Sequence, residues 1–273
     1  MKTLYISDLD GTLLNKNQEI TPAAKKSINR FTSNGGFFAV ATARTLDTVL
    51  HILSGVNLNV PIILLNGVSV YDTQTQQYLK IETIDPYCLS RLFKTLTDFN
   101  ATGFVYACEN GDITHYYENL DAEHRKAFHD DRSGKYGRVY TQTSSFAELC
   151  DRDIIYFSTC DDYKILYPIY EALRIEPRLN IEFYRDIYHE EFWYLEVCSA
   201  AASKYNAVMY LKEKYGFNRI ISFGDNLNDL PLFRASDECY AVSNAKTEVK
   251  ERATAVIGSN ENDGVVKWIE ENV

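Results

Sequence analysis

Ser7-Asp8-Leu9-Asp10-Gly11-Thr12-Leu13-Leu14 directly follows the apolar run Leu4-Tyr5-Ile6. The run reads as a short buried strand, and Gly11-Thr12 as the turn that ends it. Side chains at i and i+2 leave a strand on one face, so Asp8 and Asp10 are aimed at the same crevice. Ligands of open α/β folds bind beyond the carboxyl ends of strands. Asp and Gly are also ordinary turn residues, so taken alone this stretch reads more simply as a turn. The rest of the chain decides between the two.

Working outward, Thr21-Pro22 starts a helix, with Thr as cap and Pro at the first helical position. Ala24, Ile28 and Phe31 form its apolar face and Asn34-Gly35 ends it. Gly36 to Ala41 is a second buried strand, followed by Thr42-Ala43-Arg44 and a helix over Thr45 to Ser54. Pro61 to Leu65 is a third strand, ending in Asn66-Gly67. Strands alternating with helices imply a parallel sheet with crossover helices. Hairpins then appear among the helices, one of them marked by Asn110-Gly111. After Ser203 the parallel pattern returns, with a strand over Ile220 to Phe223 and another over Cys239 to Val242. The spacing predicts an α/β fold, a Rossmann-like parallel-sheet core with an inserted α+β domain. The core occupies residues 1–82 and 198–273, and the insert residues 83–197.

The 273 residues carry a formal net charge of −10, and 45% are hydrophobic. That is ample for a core in one large or two ordinary domains. The acidic balance argues against nucleic acid and anionic membranes as partners. It also requires that any phosphate site neutralise its ligand locally. There is no run of about eighteen apolar residues, and no basic stretch leading into an apolar one. The six cysteines (Cys88, Cys108, Cys150, Cys160, Cys198, Cys239) lack C-x-x-C spacing and read as buried free thiols. A cytoplasmic protein is expected, as a monomer or small homo-oligomer.

The predicted strand ends carry Asp8 and Asp10, Thr42, Asn66-Gly67, Asp225 with Asn228 and Asp229, and Asn244. One polar cluster after a strand is a turn; five on the expected rim point to a site. Converging carboxylates repel one another. A hard divalent cation relieves that repulsion, and oxygen ligands without Cys or His suit Mg²⁺ best.

This constellation resembles the haloacid dehalogenase-like (HAD) phosphohydrolases, in the Cof-type branch with a large α/β cap, over essentially the whole chain. Asp8-Leu9-Asp10-Gly11-Thr12-Leu13 matches the first motif, Thr42 the second, Lys204 the third, and Gly224-Asp225-Asn226-Leu227-Asn228-Asp229 the fourth. Asn66-Gly67, Asn244-Ala245 and Asn262-Asp263-Gly264-Val265 also look like the Cof-type pattern. The resemblance implies a Mg²⁺-dependent phosphatase that hydrolyses small phosphate monoesters, sugar phosphates among them, through an aspartyl-phosphate. Asp8 would be the nucleophile and Asp10 the general acid and then base. Asp8, the backbone carbonyl of Asp10, Asp225 and, through water or behind the other ligands, Asp229 would serve the metal. Thr42, Lys204 and Asn228 would hold phosphate, together with backbone N–H groups from Leu9 onward. The insert would act as a cap that excludes water and selects the leaving group.

Several residues keep a second reading. Arg44 reads as a substrate contact or as the partner of Asp47, Asn66-Gly67 as part of the site or as a plain turn, and Asn244 as a cap. Lys204, by spacing alone, reads as a surface lysine. His115, His124 and His129 lack metal-ligand companions, and Arg125, Lys126, Arg132, Lys135 and Arg138 read as a solvated face. Ala43 stands where the family usually has glycine, which puts that loop's geometry in question. A phosphomutase of the same superfamily and a non-catalytic phosphate-ester-binding protein are the alternative functions. A receiver-type signalling domain is disfavoured by the insert and by the pairing of Asp10 with Asp8.

Overall fold

Strand β1 (Thr3–Ser7) is followed by α1 (Pro22–Ser33), β2 (Phe37–Val40), α2 (Leu46–Ile52), β3 (Ile62–Leu64), β4 (Ser69–Asp72) and β5 (Gln77–Ile81). The chain continues through α3 (Pro86–Asp98), β6 (Phe104–Glu109), β7 (Asp112–Tyr117), α4 (Glu123–Tyr136) and β8 (Tyr140–Gln142). Then come β9 (Asp153–Asp162), α5 (Tyr163–Leu173), β10 (Leu179–Arg185) and β11 (Phe192–Ser199). It closes with α6 (Lys204–Tyr215), β12 (Arg219–Gly224), α7 (Leu230–Arg234), β13 (Glu238–Val242), α8 (Thr247–Lys250), β14 (Ala255–Ile257) and α9 (Gly264–Asn272). This is a computed structural model, and it describes residues 1–185 and 191–273. Two compact units emerge, Met1–Lys80 with Ser203–Val273, and Ile81–Ala202.

In the first unit five strands pair in the order β14-β13-β12-β1-β2, all parallel. A parallel sheet is covered on both faces, so its strands are apolar on both sides. Tyr5, Phe38, Val40, Ile221 and Phe223 pack with Ala24 and Ile28 of α1 and Val265 and Ile269 of α9. Leu4, Ile6, Ala39 and Ile220 pack on the other side with Ala207, Val208 and Leu211 of α6. The helix ends follow their sequence signals. The Thr21 hydroxyl accepts from the Ala24 N–H at 3.0 Å, and the Ser203 hydroxyl accepts from Asn206 N–H at 3.1 Å. Gly216 ends α6 at φ +66°.

The third strand departs from the expected pattern. β3 touches the core sheet only through a parallel bridge between Ala41 and Ile63, and it pairs antiparallel with β4 in a three-stranded sheet, β3-β4-β5. Asn66-Gly67 follows β3 so closely that the chain reverses before a crossover helix can form. Leu65, Asn66 and Gly67 take φ of +48°, +55° and +104° to make that reversal.

The second unit is a six-stranded sheet, β10-β11-β9-β6-β7-β8, antiparallel except for the β7–β8 pair. Leu89, Leu92, Phe93 and Leu96 of α3 and Leu166, Ile169 and Leu173 of α5 pack on Val105, Ala107, Phe157, Leu195 and Val197. The three- and four-residue spacings put each helix's apolar residues on one stripe. Its last strand runs on to Ser199, opposite Leu179, so the unit extends to Ala202, beyond the expected 197. Among the described residues no helix is long and apolar enough to cross a membrane.

The Leu65–Gly67 turn lies against the start of α6: a Cβ on Gly67 would stand 2.2 Å from the Ser203 carbonyl oxygen. With φ already positive, Gly67→Ala is expected to cost about 2 kcal/mol or more. Thermal unfolding followed by circular dichroism should fall by several degrees. A midpoint within about 1 °C of wild type would show that this close approach carries no strain.

Candidate active site

The register of the core sheet sets the site. Ser7 pairs with Val40 on one side and Phe223 on the other, and Gly224 pairs with Ala241. Asp8, Thr42, Asp225 and Asn244 therefore leave the sheet along one rim, at the carboxyl ends of four strands. Backbone hydrogen bonds extend the alignment, from Asp8 N–H to the Phe223 carbonyl at 3.0 Å and from Ala41 N–H to the Ser7 carbonyl at 2.9 Å.

Lys204, the first residue of α6, sits at the middle of the rim. Its Nζ donates to Asp8 Oδ1 at 2.6 Å and to Asp229 Oδ1 at 2.7 Å. All three side chains are almost wholly buried. The sequence places Lys204 as readily on the surface; here it is a core residue. The other oxygen of Asp229 accepts the backbone N–H groups of Asp225 at 2.9 Å and Asn226 at 3.1 Å. Both oxygens of Asp229 are thus engaged within the protein. Asp225 is half-buried and accepts from the Thr12 hydroxyl at 3.0 Å. Gly11 meets it so closely that a Cβ there would stand 2.5 Å from an Asp225 carboxylate oxygen.

This cluster holds more negative charge than one lysine balances. Burial, followed by the charge of Asp229, pushes the Asp8 carboxyl well above its usual range, against the pull of Lys204. Burial and Asp229 likewise raise Asp225 to about 6, with the Thr12 hydrogen bond opposing. Burial alone would lower Lys204, but Asp229 and Asp8 outweigh it and hold the ammonium above its ordinary value. Oxygens of Asp8, Asp225 and Asp229 lie within 4.8 Å of one another. Three converging carboxylates with an uncompensated charge fit a hard divalent cation. Since Asp229 is already spoken for on both oxygens, Asp8 and Asp225 are the carboxylates with capacity to bind it.

Asp10 is set differently. Its side chain is about half exposed. Arg44 grips it with both arms, Nε to Oδ2 at 2.7 Å and Nη2 to Oδ1 at 2.6 Å, and Nη2 also donates to Gln18 Oε1 at 2.7 Å. Arg44 thus has Asp10 as a partner, 34 residues away in sequence. Thr42 is buried, and its hydroxyl accepts from Arg44 N–H at 3.1 Å, which leaves its own hydrogen to donate. Ala43 is exposed and does not adopt positive φ, so nothing in this loop demands glycine. Asn228 donates to Asn66 Oδ1 at 3.2 Å, tying the fourth-motif loop to the turn beside α6. Leu9 is buried in the core, and only its backbone is open to a role at the rim.

Asn244 is the residue that its sequence context underrated. Its Nδ2 donates to the Gly11 carbonyl at 2.7 Å. A lone asparagine after a strand carries no signal of that reach. In the inserted unit the basic stretch is not uniformly solvated. Lys126 pairs with Asp130 at 2.5 Å on the surface, whereas Arg125 and Arg138 are buried. Arg138 lies over the rings of Tyr106 and Tyr140, because a guanidinium can stack on aromatic faces. Three histidines of this unit pack against rings, His115 on Tyr106, His124 on Phe192 and His129 on Tyr140. Of the cysteines, Cys88, Cys198 and Cys239 are buried, but Cys150 is exposed.

Known proteins match this chain along its whole length. The model of the haloacid dehalogenase-like hydrolase family aligns with residues 5–269. A pyridoxal phosphate phosphatase of Escherichia coli is 24% identical over 96% of this chain and 95% of its own. A 5-amino-6-(5-phospho-D-ribitylamino)uracil phosphatase of Bacillus subtilis is 25% identical over 99% of this chain and 98% of its own. A Thermotoga maritima crystal structure has the same fold, with a TM-score of 0.81 at 24% identity, covering 100% of this chain and 98% of that one. The chain belongs to the haloacid dehalogenase-like hydrolases and is an enzyme of the phosphoric monoester hydrolase type.

Proposed function

We propose that this enzyme hydrolyses small phosphorylated metabolites with Mg²⁺, and that Asp8 and Asp10 divide the work between nucleophile and proton carrier. The observation that carries the reading is the contrast between two carboxylates one residue apart. Asp8 is buried on Lys204, and Asp10 is half exposed on Arg44. A nucleophile needs a fixed position, whereas a group that meets both the leaving alcohol and water needs access.

In this reading an Asp8 oxygen attacks phosphorus as the ester P–O bond breaks, and Asp10 gives its proton to the departing oxygen. Water then attacks the aspartyl-phosphate, Asp10 takes the proton, and inorganic phosphate leaves. Lys204 neutralises charge on Asp8 and on the phosphoryl oxygens, and the Thr42 hydroxyl donates to one of them. Asp229 orients Lys204 and fixes the loop that bears Asp225. Asn66, Gly67 and Asn228 support the same wall, and Arg44 reaches the site through Asp10. Asp8, Asp225 and the Asp10 carbonyl would hold Mg²⁺, with Asp229 behind them; bound there, the cation screens Asp8 from the phosphate. Residues 81–202 serve as the cap domain. The substrates named for the two curated phosphatases, pyridoxal phosphate and a ribitylamino-uracil phosphate, support a heteroaromatic phosphate ester as a first candidate beside sugar phosphates.

Asp8→Asn should abolish phosphate release and leave no phosphoenzyme in rapid-quench mass spectrometry, with folding unchanged. Turnover by that variant at near wild-type rate would rule out the covalent route. Asp10→Asn should slow turnover by about 10²- to 10⁴-fold with a poor leaving group and less with an acidic one. An equal loss across leaving groups would contradict the proton-transfer role. EDTA should silence the enzyme and Mg²⁺ restore it, with inorganic phosphate accumulating as product. Full activity in chelator would remove the metal from the account, and transfer without phosphate release would indicate a mutase.

A further inference from the structure

The loop that carries Asp10 leaves β1 at Asp8 and reaches α1 only at Pro22. Along that path it is held by side chains from the far end of the chain. Asn244 Nδ2 donates to the Gly11 carbonyl at 2.7 Å. Asn244 Oδ1 in turn accepts from Asn260 N–H at 3.1 Å, and Asn260 Nδ2 donates to the Leu14 carbonyl at 2.8 Å. The turn that bears Asn260 continues the grip. Glu261 accepts from Lys16 N–H at 2.6 Å, and Asp263 accepts from the Thr21 hydroxyl at 2.9 Å. The turn is itself rigidly placed: Asp263 sits at φ +53°, and a Cβ on Gly264 would stand 2.0 Å from the Gly258 carbonyl oxygen.

Two features single out Asn244 and Asn260. Both amides donate to backbone carbonyls of the loop, which a carboxylate cannot do. The first carbonyl they hold belongs to Gly11, the residue after Asp10, at φ +75°. Glycine moves easily about both of its dihedrals, so a partner for its carbonyl fixes the peptide that follows Asp10 from the backbone side, as Arg44 holds the carboxylate from the other. We propose that Asn244 and Asn260 are positioning residues for Asp10, holding the Gly11 and Leu14 carbonyls so that the loop presents Asp10 for proton transfer. This rests on the reading of Asp10 as the proton carrier.

The test compares phenyl phosphate and p-nitrophenyl phosphate, which share a shape and differ in how much protonation the leaving group needs. Asn244→Ala should lower kcat on phenyl phosphate by about 10- to 100-fold, because small misplacements of a reacting group cost that much. KM should change little, and the loss on p-nitrophenyl phosphate should be smaller. Asn260→Ala should show the same pattern more weakly. In an Asp10→Asn background, adding Asn244→Ala should cost less than about twofold, since residues acting through one group are not additive. Equal losses on both esters, or the same loss with and without Asp10, would overturn the proposal. A harmless Asp10→Asn would instead bring down the reading of Asp10, and the positioning role with it. If Asn244→Ala does not fold, Asn260→Ala and Asn244→Asp, which keeps the acceptor for Asn260 but loses the donor to Gly11, carry the same comparison.

Discussion

A single ammonium group holds the rim of the core sheet together. Lys204 donates to Asp8 and to Asp229 from a position almost without solvent. Burying a carboxylate without a counter-charge costs several kcal/mol even after relaxation, and Lys204 is the cation that both Asp8 and Asp229 bond here. The lysine must arrive at one point, and three local features bring it there. Ser203 caps the helix that it begins, Gly67 lets the neighbouring turn touch that helix's first peptide, and Asp229 turns one oxygen back to the ammonium. The other oxygen of Asp229 clamps two backbone N–H groups of its own loop. A carboxylate that looks like a metal ligand in the sequence is thereby the rivet of the loop that bears Asp225.

The environments of the four aspartates differ although their chemistry is the same. Asp8 and Asp229 are buried on Lys204, Asp225 is half-buried on Thr12, and Asp10 lies open on Arg44. Carboxylates in one site acquire separate roles through such differences in surroundings. The glycine after Asp10 serves the same end: it brings the backbone so near Asp225 that no side chain fits between them. Asp225 is thus packed against the loop that carries Asp8 and Asp10.

The α/β class, the family and the helix caps at Thr21 and Ser203 were legible in the sequence, because each rests on local pattern: apolar runs, capping residues and specific motifs. What escaped depends on distance in space. Pro61 to Leu65 has the composition of a parallel strand, yet β3 pairs antiparallel with β4 because Asn66-Gly67 turns the chain at once. Arg125 and Arg138 sit in a run rich in charge, yet fold inward, since neither the approach of Arg125 to Asp161 nor the stacking of Arg138 on Tyr106 and Tyr140 is visible in composition. Asn244 had no partner within its own stretch; Gly11 lies 233 residues away. Lys204 was ambiguous for the same reason.

The core is written in two pieces, residues 1–80 and 203–273, and this sets the order in which the enzyme can be assembled. β1 and β2 belong to the first piece, but β12, β13 and β14 belong to the last, and β1 has no neighbour on its β12 side until the latter is made. During synthesis a chain bearing Asp8, Asp10 and Thr42 is therefore an unfinished sheet edge without its lysine. Closing so long a loop is slow on entropic grounds, and exposed edges invite association with other chains. The unit from 81 to 202 has its own sheet and core and can form while the first strands wait. The cluster of Asp8, Lys204 and Asp229 accordingly forms only when the two pieces of the core have met.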